Sequence, residues 1–491
     1  MSRFNKTSQG NIKIDESKTT NHQGGISYER NNIKMEIASL VLNSMLKEDS
    51  FYESSSDRLE RLETLVKSCA SAGEYEFLAK TLVYTRTIGN LRSISHVIAI
   101  LLTENIKGSN FLRPALVKSF IRMDDLTECL SFWNLKNPGL NIPNSLRRAF
   151  KDRLEVASDY ELKKYEGKNN KVKLRDVALL ARPKRDLKAL IEGKLPNIST
   201  VRTINAGSIG EERAENYEAL IKSKKLPYMG AVKNIKNMLE AGISEESIEL
   251  LCEYISNEKA VRNSKLLPMR FYDAYNIVKN ISYSNPFIIK KLLSSLEKAF
   301  MISANNIDFV EEGEKLAILL DDSGSMSGNP FYYGKLLTAS ILTGVDKDNT
   351  IGYLWANTAR TMNIDSSPMK FIENTFANGG GTDVSAPLKR LIRDKIFVDK
   401  IIILTDMQMQ ELGYTDEIEF KDSLSKYKKI NPNVKVLFWN LGGYSSGTPI
   451  KLTDDILEVC GISDKLVEVA SKMLNYSDLN YLVKEIESVE L

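Results

Sequence analysis

Oxygen-bearing side chains gather at three points in the last third of the sequence. The apolar run "AILL" ends in Asp321, Ser323 and Ser325, which form a D-x-S-x-S pattern; Thr382 follows three glycines in "NGGGTD", and Asp406 ends "IIILTD". Alternate spacing can turn the first three oxygens toward one point, and carboxylates mixed with neutral hydroxyls suit a hard cation. We therefore predict that these five residues bind a divalent cation, Mg²⁺ in preference to Mn²⁺.

Enzymatic interpretations of the same loop fit its residues less well. The G-x-S-x-G pattern of a serine hydrolase has Met326 at the nucleophile position, and both histidines of the chain lie in its first part. No lysine follows Gly328, as a phosphate-binding loop requires, and Asp321 and Asp322 would repel a phosphate. An aspartyl-phosphate enzyme would carry a carboxylate where Ser323 stands. We expect no catalytic residue and a protein that is not an enzyme.

Alternating strands and helices are predicted to position these residues. The apolar runs "KLAILLDD", "DKIIILTD" and "NVKVLFWNLGG" alternate with helical segments such as "YYGKLLTASILTGV". Strands that are buried on both faces and joined by helices indicate a parallel, doubly wound α/β sheet. Ligands of such sheets bind at the carboxyl ends of the strands, where "DDSGS" and "TD" lie.

The part of the chain before this sheet reads as helical nearly throughout. Segments such as "RLERLETLVKSCASAG" and "ISHVIAILLTENIKG" carry apolar residues at the i, i+3, i+4, i+7 spacing, and short breaks with Gly, Asn or Pro separate them. Many consecutive helices joined by short turns indicate an α-solenoid of HEAT-type repeats. No sharp repeat consensus is visible, so the regular stacking is inferred from the number and length of the helices.

Charge divides the chain at the same boundary. Residues 311–491 hold 19 Lys+Arg and 27 Asp+Glu, which gives a net charge of −8, whereas residues 1–310 have a net charge of +11. We predict a flexible segment over 1–21, a helical domain over 22–310 and an α/β domain over 311–491. A basic domain joined to an acidic one suggests different partners for each, although ordinary variation of surface charge gives the same difference.

Composition also indicates the compartment. The chain has four well-separated cysteines without a C-x-x-C pair, which is typical of a reduced protein without a disulfide framework. The polar first residues lack the apolar core of a signal peptide, and no apolar run reaches the ~18 residues of a membrane helix. We therefore expect a cytoplasmic protein that does not contact a membrane.

The strongest positive charge lies between Pro143 and Leu190. This stretch holds 14 Lys+Arg against 7 Asp+Glu, and such a cluster can neutralise several phosphates of a nucleic acid. A solvated face of ordinary helices would have the same composition, so the charge alone leaves both interpretations open. The candidate RNA-binding residues are Arg147, Arg148, Lys151, Lys163, Lys164, Lys171, Lys173, Arg175, Arg182 and Lys184.

The oxygen-bearing residues resemble a known cation site. Asp321, Ser323, Ser325, Thr382 and Asp406 resemble, in order and context, the metal-ion-dependent adhesion site of von Willebrand factor A domains. The resemblance implies that the hydroxyls bind the cation, that the aspartates bind it directly or through water, and that a partner's carboxylate completes the shell. Asp322 is an extra carboxylate that either raises cation affinity or faces solvent, and Asp383 is a candidate second-shell group.

The helical part also resembles a known family. The segments "RMDDLTECLSFWN", "IPNSLRRAFKDRL" and "VRNSKLLPMRFYDAY", preceded by "QGGISYERNN", resemble the TROVE module of the Ro ribonucleoprotein autoantigens. TROVE followed by a von Willebrand factor A domain is the Ro arrangement, and the resemblance covers residues 22–491. It implies a closed, ring-like domain that binds small noncoding Y RNA on a basic outer surface and single-stranded ends of misfolded RNA in the central hole.

Further expectations concern partners. We expect a monomer that does not bind DNA and that works beside an exoribonuclease or a protein docked at the cation. The alternative is a metal-dependent protein-interaction module on a helical scaffold without RNA. Among single residues, His96 is expected to be structural; Arg86 and Arg92 either contact RNA or neutralise carboxylates; and helix packing is favoured over base stacking for Trp133 and Tyr165.

Overall fold

A computed structural model describes most of the chain. The described residues are 18–20, 26–28, 32–42, 54–166, 170–196, 204–205, 210–283, 285–304, 308–364, 367–408, 416–444, 447–462 and 464–491. The predicted flexible segment 1–21 lies outside them except for 18–20. Those three residues form strand β1 (Lys18–Thr20), which pairs antiparallel with β2 (Ile26–Tyr28). This short strand pair was not predicted from the sequence.

The helical part is built as the periodicity predicts. Its helices are α1 (Ile33–Leu42), α2 (Ser55–Ser71), α3 (Tyr75–Thr87), α4 (Arg92–Asn105), α5 (Leu112–Ser119), α6 (Met123–Lys136), α7 (Asn144–Glu155), α8 (Asp159–Lys164), α9 (Leu174–Ala181), α10 (Lys188–Ile191), α11 (Glu211–Lys222), α12 (Tyr228–Lys233), α13 (Ile235–Ala241), α14 (Glu245–Ile255), α15 (Glu258–Ser264), α16 (Pro268–Lys279) and α17 (Pro286–Ala304). Local signals set several boundaries. Ser54 caps α2 and Asp57 bonds back to it, Ser158 and Glu161 do the same for α8, and Pro268 opens α16.

Alternate helices of this part contact each other. Helices α3, α5, α7 and α9 form one row, and α2, α4 and α6 form a second row beside it. Two rows of helices bury apolar residues between them, as stacked helical hairpins do. Regular HEAT-type repeats and a closed ring remain predictions.

The second part contains a six-stranded sheet. Its strands are β3 (Leu316–Asp321), β4 (Thr350–Trp355), β5 (Ala359–Thr361), β6 (Lys400–Thr405), β7 (Lys435–Asn440) and β8 (Ile456–Cys460), in the order β5-β4-β3-β6-β7-β8. The helices between and after them are α18 (Asn329–Thr343), α19 (Pro368–Asn374), α20 (Ser385–Arg393), α21 (Asp416–Tyr427), α22 (Asp464–Tyr476) and α23 (Tyr481–Glu487). Every residue of β3 and β6 is buried, as the unbroken apolar runs predict.

The sheet differs from the prediction at both edges. The segment "TIGYLWANTAR" forms two strands, because the chain turns back where the N–H of Ala356 bonds to the carbonyl of Thr358. The returning segment is β5, which pairs antiparallel with β4, so the sheet is mixed rather than wholly parallel. Strand β8 was not predicted, since Glu458 interrupts its apolar pattern; that side chain is buried and meets Asn440.

The α/β part contacts both ends of the helical part. Helix α23 and strand β8 contact the first helices, where Lys80 Nζ donates to the Glu487 carbonyl at 2.7 Å. Helix α18 contacts α16 and α17, and the Tyr332 hydroxyl donates to Asp273 at 2.9 Å. The α/β part therefore bridges the first and last helices.

Among the described helices, none has the length and apolar character needed to span a bilayer.

Candidate cation site and basic surface

The three predicted loops meet at the carboxyl edge of the sheet. The loop that follows β3 is joined to the glycine-rich loop by two backbone hydrogen bonds, from Gly324 N to Gly380 O at 3.1 Å and from Gly379 N to Asp322 O at 2.9 Å. Thr382 lies in the second of these loops and is buried. Strand β6 lies beside β3 and carries Asp406 directly after its last residue. The sheet order thus brings together the residues that the sequence places in separate loops.

The D-x-S-x-S segment is folded back on itself. Oδ1 of Asp321 accepts a hydrogen bond from the Ser323 N–H at 2.9 Å. A short 3-10 turn over Gly324–Met326 follows, and it brings Oγ of Ser323 to 3.4 Å from Oγ of Ser325. All three polar side chains are buried, so their oxygens are positioned by the fold rather than by solvent.

Asp406 carries an oxygen that the surrounding protein does not satisfy. Its Oδ1 accepts a hydrogen bond from the Gln408 N–H at 3.1 Å, but among the described residues its buried Oδ2 has no hydrogen-bond partner. Between them, Met407 adopts a left-handed φ of 64°, a conformation that is uncommon for a residue other than glycine. An unpaired buried carboxylate oxygen is costly, and a bound cation is one way to satisfy it.

The two aspartates are electrostatically unfavourable neighbours. Burial, and to a smaller extent the nearby charge of Asp406, raises the pKa of Asp321 to about 7. Burial likewise raises the pKa of Asp406 to about 6. Each carboxylate therefore resists ionisation in this site. A divalent cation would remove both causes, because it replaces the lost solvation and screens the repulsion between the carboxylates.

The hydroxyls are essential to this interpretation. Among the described residues, no group of three or more His, Cys, Asp or Glu side chains is arranged to hold a metal ion. A cation at this edge would therefore depend on Ser323, Ser325 and Thr382 as well as on the two aspartates. Hydroxyl and carboxylate oxygens together are the donors that Mg²⁺ accepts.

The glycines before Thr382 have a conformational role. Gly379 and Gly380 have φ values of 73° and 108°, where a side chain is strained. We expect Gly380→Ala to lower the free energy of unfolding by about 1–2 kcal/mol. We also expect it to weaken Mg²⁺ binding, since the loop that holds Thr382 must shift. Denaturant unfolding and Mg²⁺ calorimetry measure these effects, and Ala377→Gly in the same loop is the control. Unchanged stability and affinity for Gly380→Ala would contradict this role.

Two residues that support the site were not found from the sequence. The Thr405 hydroxyl donates to Oδ2 of Asp321 at 2.6 Å, and its Oγ accepts from the Met407 N–H at 3.2 Å. Arg360 binds Oδ2 of Asp322 through Nη2 at 2.6 Å and through Nε at 3.2 Å. Thr405 precedes Asp406 in the "TD" motif, which was a usable signal, whereas nothing in the sequence pairs position 360 with position 322.

Asp322 and Asp383 contact other groups than the candidate ligands. Asp322 is buried, bound to Arg360 and to the backbone N–H of Asn378 at 3.2 Å, so it does not face solvent. It holds the glycine-rich loop against the loop after β3. Asp383 accepts a hydrogen bond at 2.9 Å from the N–H of Ser385, the first residue of α20.

The predicted RNA-binding residues are not equally accessible. Arg147 and Arg148 are exposed on α7, opposite its buried residues, and Lys171, Arg182 and Lys184 are exposed farther along the chain. Within the described part of the chain, these five residues form no ion pair, so their charges are available to a ligand. Lys151 and Lys173 are half-buried.

Other members of the predicted set are engaged within the protein. Lys163 pairs with Glu166 at 3.2 Å and only 9% of its side chain is exposed, which leaves little of it for RNA. Arg175 lies 3.7 Å from Asp176. Lys164 is exposed but lies over the ring of Tyr165, 5.4 Å from its centroid. The positive face is therefore narrower than the count of basic residues indicates.

A buried carboxylate explains the residues near His96. Asp125 accepts hydrogen bonds from Arg86 at 2.9 Å, Arg92 at 2.9 Å and His96 Nε2 at 3.0 Å. Burial acts to raise the pKa of Asp125, but the bonds from His96 and the Arg122 backbone and the charge of Arg86 hold it well below its usual range. The structural role expected of His96 is confirmed, and both arginines neutralise a carboxylate.

The aromatic candidates also have packing roles. Trp133 is buried, and its Nε1 donates to the Leu140 carbonyl at 3.4 Å. Tyr165 is half-buried beneath the guanidinium of Arg122, which lies 5.0 Å from its ring centroid. Helix packing is therefore the role that the contacts support for both residues.

Comparison with known proteins identifies relatives of the helical part and of the fold. The TROVE domain family matches residues 205–286. Telomerase protein component 1 of Rattus norvegicus is 31% identical over 108 residues, which are 20% of this chain and 4% of that protein. The Mus musculus protein of the same name is 33% identical over 85 residues, which are 16% of this chain and 3% of that protein. The chain thus spans only a small fraction of the length of these curated relatives.

A solved structure shares the fold of nearly the whole chain. The crystal structure of the Deinococcus radiodurans RO (RSR) protein superposes with a TM-score of 0.60 and 16% sequence identity, and it covers 91% of this chain and 100% of that one. At this identity the match establishes the fold. Together with the TROVE match, it confirms the resemblance to the Ro family that the sequence predicts.

Proposed function

We propose that this chain is a non-catalytic, RNA-binding scaffold of the Ro kind. The observation that carries the proposal is the TROVE match within a Ro-like fold, combined with an exposed basic surface on the helical part. Arg147 and Arg148 project from α7, and their charges are not neutralised by neighbouring carboxylates in the described structure. Phosphates that displace counterions from such a surface give affinity that falls steeply with salt.

The proposed ligand is structured RNA. We infer that a small noncoding, Y-like RNA binds the basic outer surface and that single-stranded ends of misfolded RNA enter the ring. Recognition would depend on backbone, shape and free ends, since the sequence has no RNA-recognition or zinc-knuckle motif. A cytoplasmic monomer working beside an exoribonuclease fits this role. A gel-shift titration with a stem-loop RNA that carries a single-stranded tail tests it. Absence of binding at low salt would refute it.

The α/β part supports a second role, as a cation-dependent docking site. The buried and unsatisfied Oδ2 of Asp406 favours this role, because it lies with hydroxyls that a hard cation accepts. Asp321, Ser323, Ser325, Thr382 and Asp406 are the proposed ligands of Mg²⁺, with Mn²⁺ as a substitute. The site resembles metal-ion-dependent adhesion sites, and its cation would likewise bind a carboxylate of a protein partner. This docking role is compatible with RNA binding, but it does not require that the chain binds RNA.

Pull-down experiments separate the two roles. Partners captured with Mg²⁺ should be lost in EDTA and with Asp321→Ala, whereas RNA binding on the helical part should persist. Partners that are indifferent to both changes would contradict the docking role. Loss of RNA binding by Asp321→Ala would contradict the independence of the two surfaces. Hydrolysis of RNA or nucleotide that requires Mg²⁺ and Asp406 would contradict the non-catalytic assignment.

Stability should respond to pH in a way that Mg²⁺ reverses. Without a cation, the pKa values of Asp321 and Asp406 are about 7 and about 6, above those of the unfolded chain. Between about pH 4 and about pH 7 the folded state holds more protons, so these groups lower stability as pH rises. Mg²⁺ binds the ionised carboxylates. It should stabilise little at about pH 5 but by about 2.7 kcal/mol at about pH 8, when its concentration is about 100 times Kd.

Thermal unfolding with Mg²⁺ or EDTA at both pH values measures this difference. Using the difference between the two conditions removes the contributions of other titrating groups. Asp383→Asn is a suitable control, since Asp383 bonds to the first residue of α20 and is not a proposed ligand. An effect of Mg²⁺ that is equal at both pH values would show that these carboxylates do not bind it.

A further inference from the structure

A loop behind the candidate cation site joins it to the helical part. This loop, Leu441–Tyr444, follows β7, and the Leu441 N–H bonds to the Thr405 carbonyl at 2.8 Å. Gly442 lies so close to Asp406 that a Cβ at position 442 would be 3.0 Å from the Asp406 carbonyl oxygen and 2.5 Å from the Tyr444 ring. The backbone that carries Asp406 is therefore held from behind by this loop.

Two arginines of the helical part hold the loop. Nη2 of Arg58 donates to the Gly442 carbonyl at 3.0 Å, and Nη2 of Arg61 donates to the Gly443 carbonyl at 2.9 Å. Both arginines lie on α2, one helical turn apart. Arg58 is wholly buried and also lies 5.9 Å from the Tyr444 ring centroid. A buried guanidinium that donates to a backbone carbonyl fixes that carbonyl in one position.

Cation binding is sensitive to contacts that hold a ligand in place without touching the cation. The oxygens around Mg²⁺ must adopt near-octahedral geometry at short distances, so small displacements of one ligand reduce affinity. Among the described residues, no hydrogen bond holds the buried Oδ2 of the proposed ligand Asp406. The Gly442 segment contacts the backbone of Asp406, so a shift of this segment would move the carboxylate.

We propose that Arg58 is a positioning residue for the cation site. It holds the Gly442 carbonyl and, through this segment, the backbone of Asp406. Cation affinity then depends on a residue of the helical part. By thermodynamic linkage, cation binding strengthens the contact between α2 and the loop to the same extent. The proposal rests on the proposed cation site, but it adds a residue that the adhesion-site pattern does not contain.

The test compares three variants of the full chain by calorimetric titration with Mg²⁺ alone. Arg58→Met keeps the length and apolar stem but removes the donors, and Arg58→Lys keeps the charge and one donating group. Lys80→Met is the matched control, since Lys80 also links the helical part to the α/β part but bonds to Glu487, away from the 441–444 loop. Unfolding midpoints in EDTA show whether each variant is folded and equally stable.

We expect Arg58→Met to bind Mg²⁺ about 10–100-fold more weakly than the unaltered chain, which is the usual effect of removing a group that orients a metal ligand. Arg58→Lys should be intermediate, and Lys80→Met should bind like the unaltered chain. If Arg58→Met does not fold, the comparison of Arg58→Lys with Lys80→Met decides. Equal affinity of the Arg58 variants and the unaltered chain overturns the proposal, and so does an equal loss in Lys80→Met. An unaltered chain that binds no Mg²⁺ overturns the cation site itself.

Discussion

Replacing Asp406 with asparagine is expected to abolish measurable Mg²⁺ binding and at the same time to stabilise the cation-free protein. The loss should exceed the 10–100-fold that second-shell changes cause, because a proposed direct ligand becomes neutral. The gain in stability arises because at about pH 8 the carboxylate of Asp406 is ionised while buried beside Asp321. Removing that charge should raise the free energy of unfolding by about 1–3 kcal/mol.

The opposite signs of these two effects make the experiment informative. Asparagine keeps an oxygen for the Gln408 N–H, so the local hydrogen bond at 3.1 Å is conserved. Denaturant unfolding in EDTA measures the stability, and calorimetry measures Mg²⁺ affinity. Asp383→Asn makes the same change of charge beside the start of α20 and should leave Mg²⁺ binding intact. A less stable cation-free Asp406→Asn protein would show that the carboxylate is a structural acceptor.

The arrangement of the candidate cation site was predictable because it follows from sheet topology. Parallel strands end at the same edge, so residues directly after β3 and β6 must approach each other once these strands pair. The apolar runs predicted the strands. Asp321, Ser323 and Asp406 were identified as candidates because they are polar residues at or directly after the ends of those strands. Thr382 was harder to place, and the three glycines directly before it were the useful signal in the sequence.

The supporting contacts were not predictable, since they join residues far apart in the chain. Arg360 meets Asp322 across 38 positions, Thr405 meets Asp321 across 84, and Arg58 meets Gly442 across 384. Such pairs depend on strand register and on how two domains meet. A single sequence contains neither. The antiparallel strand β5 illustrates this limit. The turn before β5 brings Arg360 to Asp322, and hydrophobic periodicity does not predict that turn.

Charge counting had a related limit on the basic surface. Lys163 and Arg147 contribute equally to a net charge, yet Lys163 is nearly buried against Glu166 while Arg147 is exposed on α7. The sequence predicted the helix and its charge, but accessibility depends on the neighbouring carboxylates. The structure therefore concentrates the RNA hypothesis on fewer residues, and α7 carries the first two of them.

Reversing Arg147, Arg148 and Lys151 to glutamate is expected to weaken binding of a tailed stem-loop RNA by about 10²–10³-fold at about 0.1 M salt. Each phosphate that is no longer neutralised keeps about 0.7–0.9 of a counterion. At about 0.1 M salt, the association constant therefore falls by about 0.7–0.9 of a decade for each lost phosphate contact. The substitutions leave Leu146, Ala149 and Phe150, the buried face of α7, unchanged. The slope of log affinity against log salt should become shallower by about 2–3.

A matched variant distinguishes this surface from general electrostatic attraction. Lys421, Lys426 and Lys429 are exposed in the acidic α/β part, and their reversal changes the net charge of the chain by the same amount. Gel-shift titrations of both variants over a range of salt concentrations should show a shallower slope for the α7 variant alone. Equal losses would mean that RNA responds to net charge, and an unchanged α7 variant would mean that RNA binds elsewhere on the helical part. Since salt removes only the phosphate-dependent part of binding, affinities that converge at high salt would identify the α7 residues as phosphate contacts.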